Sequence, residues 1–136
     1  MKQKLFIVLS IFLSMMFLAG CQNNQASTDK VEIKQITISD LEKMLENNEK
    51  GKMYLDVREV DEYADGHIKR FMNFPLSTLE ETIGKLSKEE EIVIVCRSGN
   101  RSMQAANFLT NNGFPHVTNV QGGMLEWRQD VVSGNE

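Results

Sequence analysis

Three regimes of apolar and polar positions follow one another along the chain. Residues 5–17 are almost unbroken apolar, behind the basic start Met1-Lys2-Gln3-Lys4. Residues 22–34 are polar and show no period. From Gln35 on, short runs of strand type alternate with stretches of helical spacing. Residues 36–38 predict a first strand, and Ser39 or Asp40 then caps a helix with Leu41, Met44 and Leu45 on one face. A polar turn at 47–52, containing Gly51, leads to a second strand at 53–57. A helical turn at 60–64 is ended by Asp65-Gly66. Residues 71–74 form a third strand, stopped by Pro75. Ser77 opens a helix with Leu79, Ile83 and Leu86 apolar, which Gly84 weakens. Residues 91–95 make a fourth strand, apolar at 92–95 and therefore expected at the sheet centre with both faces covered. A helix from Arg101 stops at Asn112-Gly113, with Pro115 beyond. Residues 117–120 are a fifth strand, and Gly122-Gly123 precedes a last short helix through Met124 and Trp127.

Five strands alternating with helices predict an α/β domain built on a parallel sheet flanked by helices. Ligands in such folds sit at the carboxyl ends of the strands. The chain has 136 residues, which suits one domain and not two.

Residues 1–20 stand apart from that domain. The basic start, the apolar run and Leu18-Ala19-Gly20-Cys21 resemble a bacterial lipoprotein signal peptide, with Cys21 as the lipidated residue. The alternative is an uncleaved anchor, but residues 5–20 fall short of the roughly 20 apolar residues that span a bilayer. The lipoprotein reading makes 21–34 a lipid-bearing cysteine and polar tether, 35–130 the domain and 131–136 a C-terminal tail. It also places the domain on the extracytoplasmic side, held to a membrane through lipid on Cys21.

Charge and cysteine count narrow the function. The chain carries 15 basic and 19 acidic side chains; loss of Lys2 and Lys4 with the leader leaves 13 against 19, a net charge of −6. So acidic a domain is a poor partner for nucleic acid or anionic lipid surfaces, and attachment falls to acyl chains. With Cys21 consumed by lipid, Cys96 is the remaining thiol of 2 cysteines. That excludes an internal disulfide, a C-x-x-C redox pair and a cysteine-rich zinc site, since only His67 and His116 could assist. No metal or cofactor is expected, and no oligomerisation signal is visible.

Cys96 sits where a strand of apolar residues meets a Gly-containing loop and a helix. The free N–H groups and dipole at a helix start favour an anion, and Arg97 and Arg101 add positive charge. Each of these would lower the thiol pKa. At an ordinary value near 8.5 about 3% is thiolate at pH 7, and a fall of about two units makes the thiolate the majority.

The residues around this loop resemble the rhodanese family of single-domain sulfurtransferases. The matching segments are Leu55-Asp56-Val57-Arg58-Glu59, Glu62-Tyr63 with Gly66-His67-Ile68, and Asn73-Phe74-Pro75-Leu76. The loop Cys96-Arg97-Ser98-Gly99-Asn100-Arg101-Ser102 follows, then Gly122-Gly123-Met124 with Trp127. All stand in the family's order over residues 35–130. The resemblance implies a five-stranded parallel sheet and a Cys96 that takes a sulfane sulfur from a donor such as thiosulfate. The resulting persulfide passes to a thiol or to cyanide, in two half-reactions. It also implies that Arg97, Ser98, Gly99, Asn100, Arg101 and Ser102 cradle the substrate sulfur, the N–H groups ringing the anion. Asp56, Arg58 and His67 are then structural supports of the site, with no general base needed for a preformed thiolate.

Two other functions compete. Cysteine phosphatases and related arsenate reductases place their arginine after five intervening residues, whereas four separate Cys96 from Arg101, and Ser102 stands at the phosphatase position. The smaller ring suits one sulfur atom. A non-catalytic rhodanese-like binding module is opposed by the presence of Cys96, Arg97 and Arg101. One departure stands out: Gly66-His67-Ile68-Lys69-Arg70-Phe71 carries Arg70 where the family usually has a glycine, and Phe71 where it has a small residue. If that turn requires positive φ, Arg70 costs about 1 kcal/mol or more.

Overall fold

The computed structural model describes residues 31–134, and the chain from Val31 on makes one compact unit. The segment expected to be a signal peptide, Cys21 and most of the expected tether lie outside the described residues. Among those described, no helix is long and apolar enough to cross a membrane.

Five parallel strands form the sheet: β1 (Lys34–Ile36), β2 (Lys52–Asp56), β3 (Met72–Asn73), β4 (Glu91–Val95) and β5 (Val117–Val120). Their spatial order is β1-β5-β4-β2-β3. The helices are α1 (Ile38–Glu46), α2 (Val60–Asp65), α3 (Leu79–Thr82) and α4 (Asn100–Asn111). From β2 the chain moves outward to β3, and from β4 it moves the opposite way to β5. The crevice between β2 and β4 is therefore the topological switch point, where the fold leaves room for a ligand at the strand ends. Asp56 and Val95 are register partners there, so Cys96 emerges beside the end of β2.

Side-chain alternation explains why β4 is central. Ile92 and Ile94 face one layer with Leu55, Val57, Leu79, Ala105, Ala106 and Leu109, so α3 and α4 cover that face. Val93 and Val95 face the other layer with Ile36, Leu41, Met44, Tyr54 and Val120, under α1. Each fully buried Val, Leu or Ile contributes about 1.5–3 kcal/mol of transfer free energy, so both faces resist displacement of the strand.

Several boundaries differ from the sequence expectation. The first strand is 34–36, because Thr37 and not Ser39 or Asp40 is the N-cap. Thr37 Oγ1 accepts from Asp40 N–H at 3.2 Å and Asp40 Oδ2 accepts from Thr37 N–H at 3.1 Å, a reciprocal capping box. The helix expected from Ser77 is broken into 3₁₀ turns at Leu76–Thr78 and Ile83–Lys85 around the single turn of α3. The last helix is only a 3₁₀ turn, Gly123–Leu125. Residues 131–134 are hydrogen-bonded to the domain. Val132 and His67 exchange two backbone hydrogen bonds of 2.9 Å, and Gly134 N–H donates to Ala64 at 3.0 Å. The Val131 side chain lies 3.1 Å from where a Cβ on Gly66 would stand, so the tail packs closely on that residue.

Arg70 adopts φ 80, so the turn does require the left-handed region. Its guanidinium lies over the Tyr54 ring, 5.1 Å from the centroid, and Nη1 reaches Leu45 O at 3.4 Å. A cation–π contact of about 0.5–1 kcal/mol offsets much of the backbone strain. Phe71 fills the space beneath and packs on Tyr54 with centroids 5.3 Å apart.

Candidate active site

Cys96 is the first residue beyond β4 and is 1% exposed. The chain then reverses through Arg97 and Ser98 to Gly99, which at φ 96 is the N-cap of α4. That left-handed conformation turns the Gly99 N–H back onto Cys96 Sγ at 3.1 Å. One turn into α4, the buried Ser102 Oγ lies 3.4 Å from Sγ and 3.0 Å from Gly99 O. Burial pushes the thiol pKa up, but hydrogen bonds from the Ser102 hydroxyl and from the Ser102, Ser98 and Gly99 N–H groups outweigh it. The net result is a thiol pKa below its ordinary value. The sequence named the helix-start N–H groups together with the two arginines as causes of this shift; the N–H groups and the Ser102 hydroxyl are the leading ones, and neither arginine is among them.

A second loop backs the first. Met124 N–H donates to Cys96 O and Leu125 N–H to Arg97 O, each at 2.9 Å. These bonds require Gly123 to pass close beneath: a Cβ there would strike Cys96 O and stand 2.8 Å from the Arg97 carbonyl. Gly99 in turn rests against Val120 O and Gly122 N, 3.5 and 3.4 Å from its notional Cβ. The cysteine loop is thus held from behind by backbone, which leaves its N–H groups aimed at the sulfur.

The charged residues divide into two sets. Asp56 is fully buried and binds Arg58 through Nε–Oδ1 at 3.0 Å and Nη2–Oδ2 at 2.6 Å, while Nη2 also donates to Gly66 O at 2.8 Å. This pair ties the end of β2 to the end of α2. Arg101 instead forks onto Glu62 of α2, with Nη1–Oε2 at 2.6 Å and Nη2–Oε1 at 2.7 Å. The Arg101 hydrogen bonds hold the Glu62 carboxyl down to about 2, against the opposing effect of burial. Arg97, Ser98 and Asn100 are exposed at the rim.

The model of the rhodanese-like domain matches residues 37–130. The chain belongs to the rhodanese-like family. A Bacillus subtilis relative named "Putative sulfurtransferase YtwF" is 38% identical over 106 residues, which is 77% of this chain and 100% of that protein. "Thiosulfate sulfurtransferase 18" of Arabidopsis thaliana is 32% identical over 120 residues, covering 78% of this chain and 86% of its own. The crystal structure of a rhodanese-like domain protein from Staphylococcus aureus superposes with a TM-score of 0.69 at 30% identity, over 75% of this chain and 99% of that one.

Within this rhodanese-like domain, Cys96, Gly99 and Ser102 converge on one sulfur atom, with Ser98 contributing backbone. His67 lies apart from it as a support. Its buried ring stacks on Tyr63 at 3.6 Å and 11°, and Nδ1 meets Tyr63 O at 3.0 Å. Two contributors carried no assigned role in the sequence reading, namely Glu62 and Gly123. Gly123 had a signal, since a Gly-Gly pair ahead of a helix marks a close backbone approach. Glu62 stood in a matching segment, but nothing in the sequence joined it to Arg101, 39 positions away.

Proposed function

We propose that the protein is a sulfurtransferase tethered outside the cytoplasm by lipid on Cys21. The observation that carries the reading is the Cys96 sulfur, buried at the end of β4 yet ringed by the Gly99 N–H and the Ser102 hydroxyl at 3.1 and 3.4 Å. That setting favours an anionic sulfur without a general base. In the first half-reaction the Cys96 thiolate attacks the outer sulfur of a donor such as thiosulfate. A new S–S bond forms, the donor S–S bond breaks, and sulfite leaves with the bonding pair. In the second, an acceptor thiolate or cyanide attacks the outer persulfide sulfur and Cys96 leaves as thiolate. The loop donors suit both steps because the sulfur carries negative charge before and after each.

The relatives' names support the class, and the four-residue spacing from Cys96 to Arg101 opposes a phosphatase.

The test is to incubate the full chain, purified in mild detergent, with thiosulfate and follow its intact mass. A gain of one sulfur atom, removed by cyanide and absent in Cys96→Ser, is expected. Failure to gain sulfur from thiosulfate and from an alkyl persulfide, with turnover of an aryl phosphate, would sink the proposal. The tether half rests on the leader sequence, and is tested by palmitate labelling: Cys21→Ala must lose label and membrane sedimentation together.

A further inference from the structure

Glu62 is bound from three directions. Both its oxygens take the Arg101 fork, at 2.6 and 2.7 Å, and Oε2 also accepts the Glu59 N–H at 3.2 Å as the capping partner at the start of α2. The carboxylate cannot turn away from Arg101 without uncapping the helix. Other negative charge is close. Glu59 acts electrostatically on Arg101, its own Oε2 accepting from Ser77 Oγ at 2.8 Å. The Glu126 carboxylate lies over Gly122, on the turn that backs the loop. Arg58 is already matched by Asp56. Among the described residues near the loop, Arg97 is thus the cation without an ion pair or side-chain hydrogen bond. With Cys96 ionised, the mouth of the site carries no surplus of positive charge.

We propose that Glu62 is a positioning residue that sets donor choice. By pairing Arg101 it leaves Arg97 alone to meet the donor, and so favours singly charged persulfides over dianionic thiosulfate. This rests on the sulfurtransferase reading. The step is the same attack with a different leaving group. The Cys96 thiolate bonds to the outer sulfur of R–S–S⁻, the donor S–S bond breaks, and R–S⁻ leaves with the bonding pair. No outside oxidant or reductant is needed. The donor's second negative charge is what the paired Arg101 no longer offsets.

The test compares loading of Cys96 by thiosulfate and by N-acetylcysteamine persulfide, which has no carboxylate, as kcat/KM from cyanide-labile sulfur on the full chain in detergent. Wild type is expected to prefer the persulfide. Glu62→Gln keeps the cap and frees the Arg101 charge, so the persulfide-to-thiosulfate ratio should fall about fivefold at low salt, and less as salt is added. Glu62→Gln with Arg101→Gln removes one charge of each sign and should return the ratio to its wild-type value. Both donors report on the same folded molecules, so partial unfolding cancels in the ratio. A wild-type preference for thiosulfate, a ratio unmoved in Glu62→Gln, or a change indifferent to salt overturns the inference. A wild type that neither donor loads overturns the sulfurtransferase reading instead.

Discussion

Replacing Ser102 by alanine removes the hydroxyl that reaches the Cys96 sulfur. In the neutral thiol that hydroxyl can point to Gly99 O, 3.0 Å away; once the sulfur ionises it can turn to Sγ at 3.4 Å. A hydrogen bond to a charged group is worth about 1.5–3 kcal/mol, and the competing carbonyl puts the net difference at the low end. At 1.36 kcal/mol per pKa unit, Ser102→Ala should raise the thiol pKa by about one unit. Below both values, the thiolate fraction then falls about tenfold. The check is the pH profile of iodoacetamide alkylation from about pH 5 to about pH 9, with Cys96→Ser as the blank. The same variant should load sulfur more slowly by a similar factor at neutral pH. Ser102 is fully buried and the change deletes one oxygen, so the fold should persist with a small loss of stability. If the alkylation pKa moves by less than about 0.3 units, or falls, the reasoning fails and the backbone N–H groups alone hold the thiolate.

Three further outcomes are expected. Gly123→Ala places a Cβ against Cys96 O and 2.8 Å from the Arg97 carbonyl, at a φ of 56, so the backing turn must move. A loss of about 2–4 kcal/mol in a urea melt, with reduced cyanide-labile sulfur, is expected from overpacking and left-handed strain together. Glu62 titrates near 2 when folded, below the ordinary 4.5, so its pairing stabilises fully above about 4.5 and is lost as pH falls towards 2. With side chains 29% and 32% exposed, solvent screening reduces this to about 1–2 kcal/mol. The stability gap between wild type and Glu62→Gln should therefore close over that window in thermal melts. At the strained turn, Arg70→Ala keeps φ 80 and loses the Tyr54 contact, whereas Arg70→Gly relieves the strain. Arg70→Ala should be the less stable by about 1 kcal/mol in urea, and equal stabilities would mean that the turn relaxes at no cost.

The legible parts of the molecule are those set by neighbours in sequence. The fourth and fifth strands run 91–95 and 117–120 in both the sequence reading and the structure, because β-branched residues dominate both stretches. Asp56 and Arg58, two positions apart at a strand end, bind each other; the family resemblance, not their spacing, had implied a supporting role for them. Boundaries slipped where a competing local contact decided them. Thr37 captures Asp40 N–H and ends the strand early, and Gly84 removes the propensity that a continuous helix after Ser77 would have needed.

Sequence alone determined the α/β class, the strand–loop–helix setting of Cys96 and the four-residue spacing to Arg101. Those follow from backbone sterics, hydrophobic period and turn chemistry, which act over a few residues. Only the tertiary structure decided that the Ser102 hydroxyl joins the loop N–H groups at the sulfur, what backs the loop, and where Arg101 spends its charge. Arg101 looked like part of the cradle, but placing β2 beside β4 brings the α2 carboxylate of Glu62 within 2.6 Å of it. Coulomb and hydrogen-bond energies depend on distance in space, and a separation of 39 positions along the chain hides that distance from the sequence.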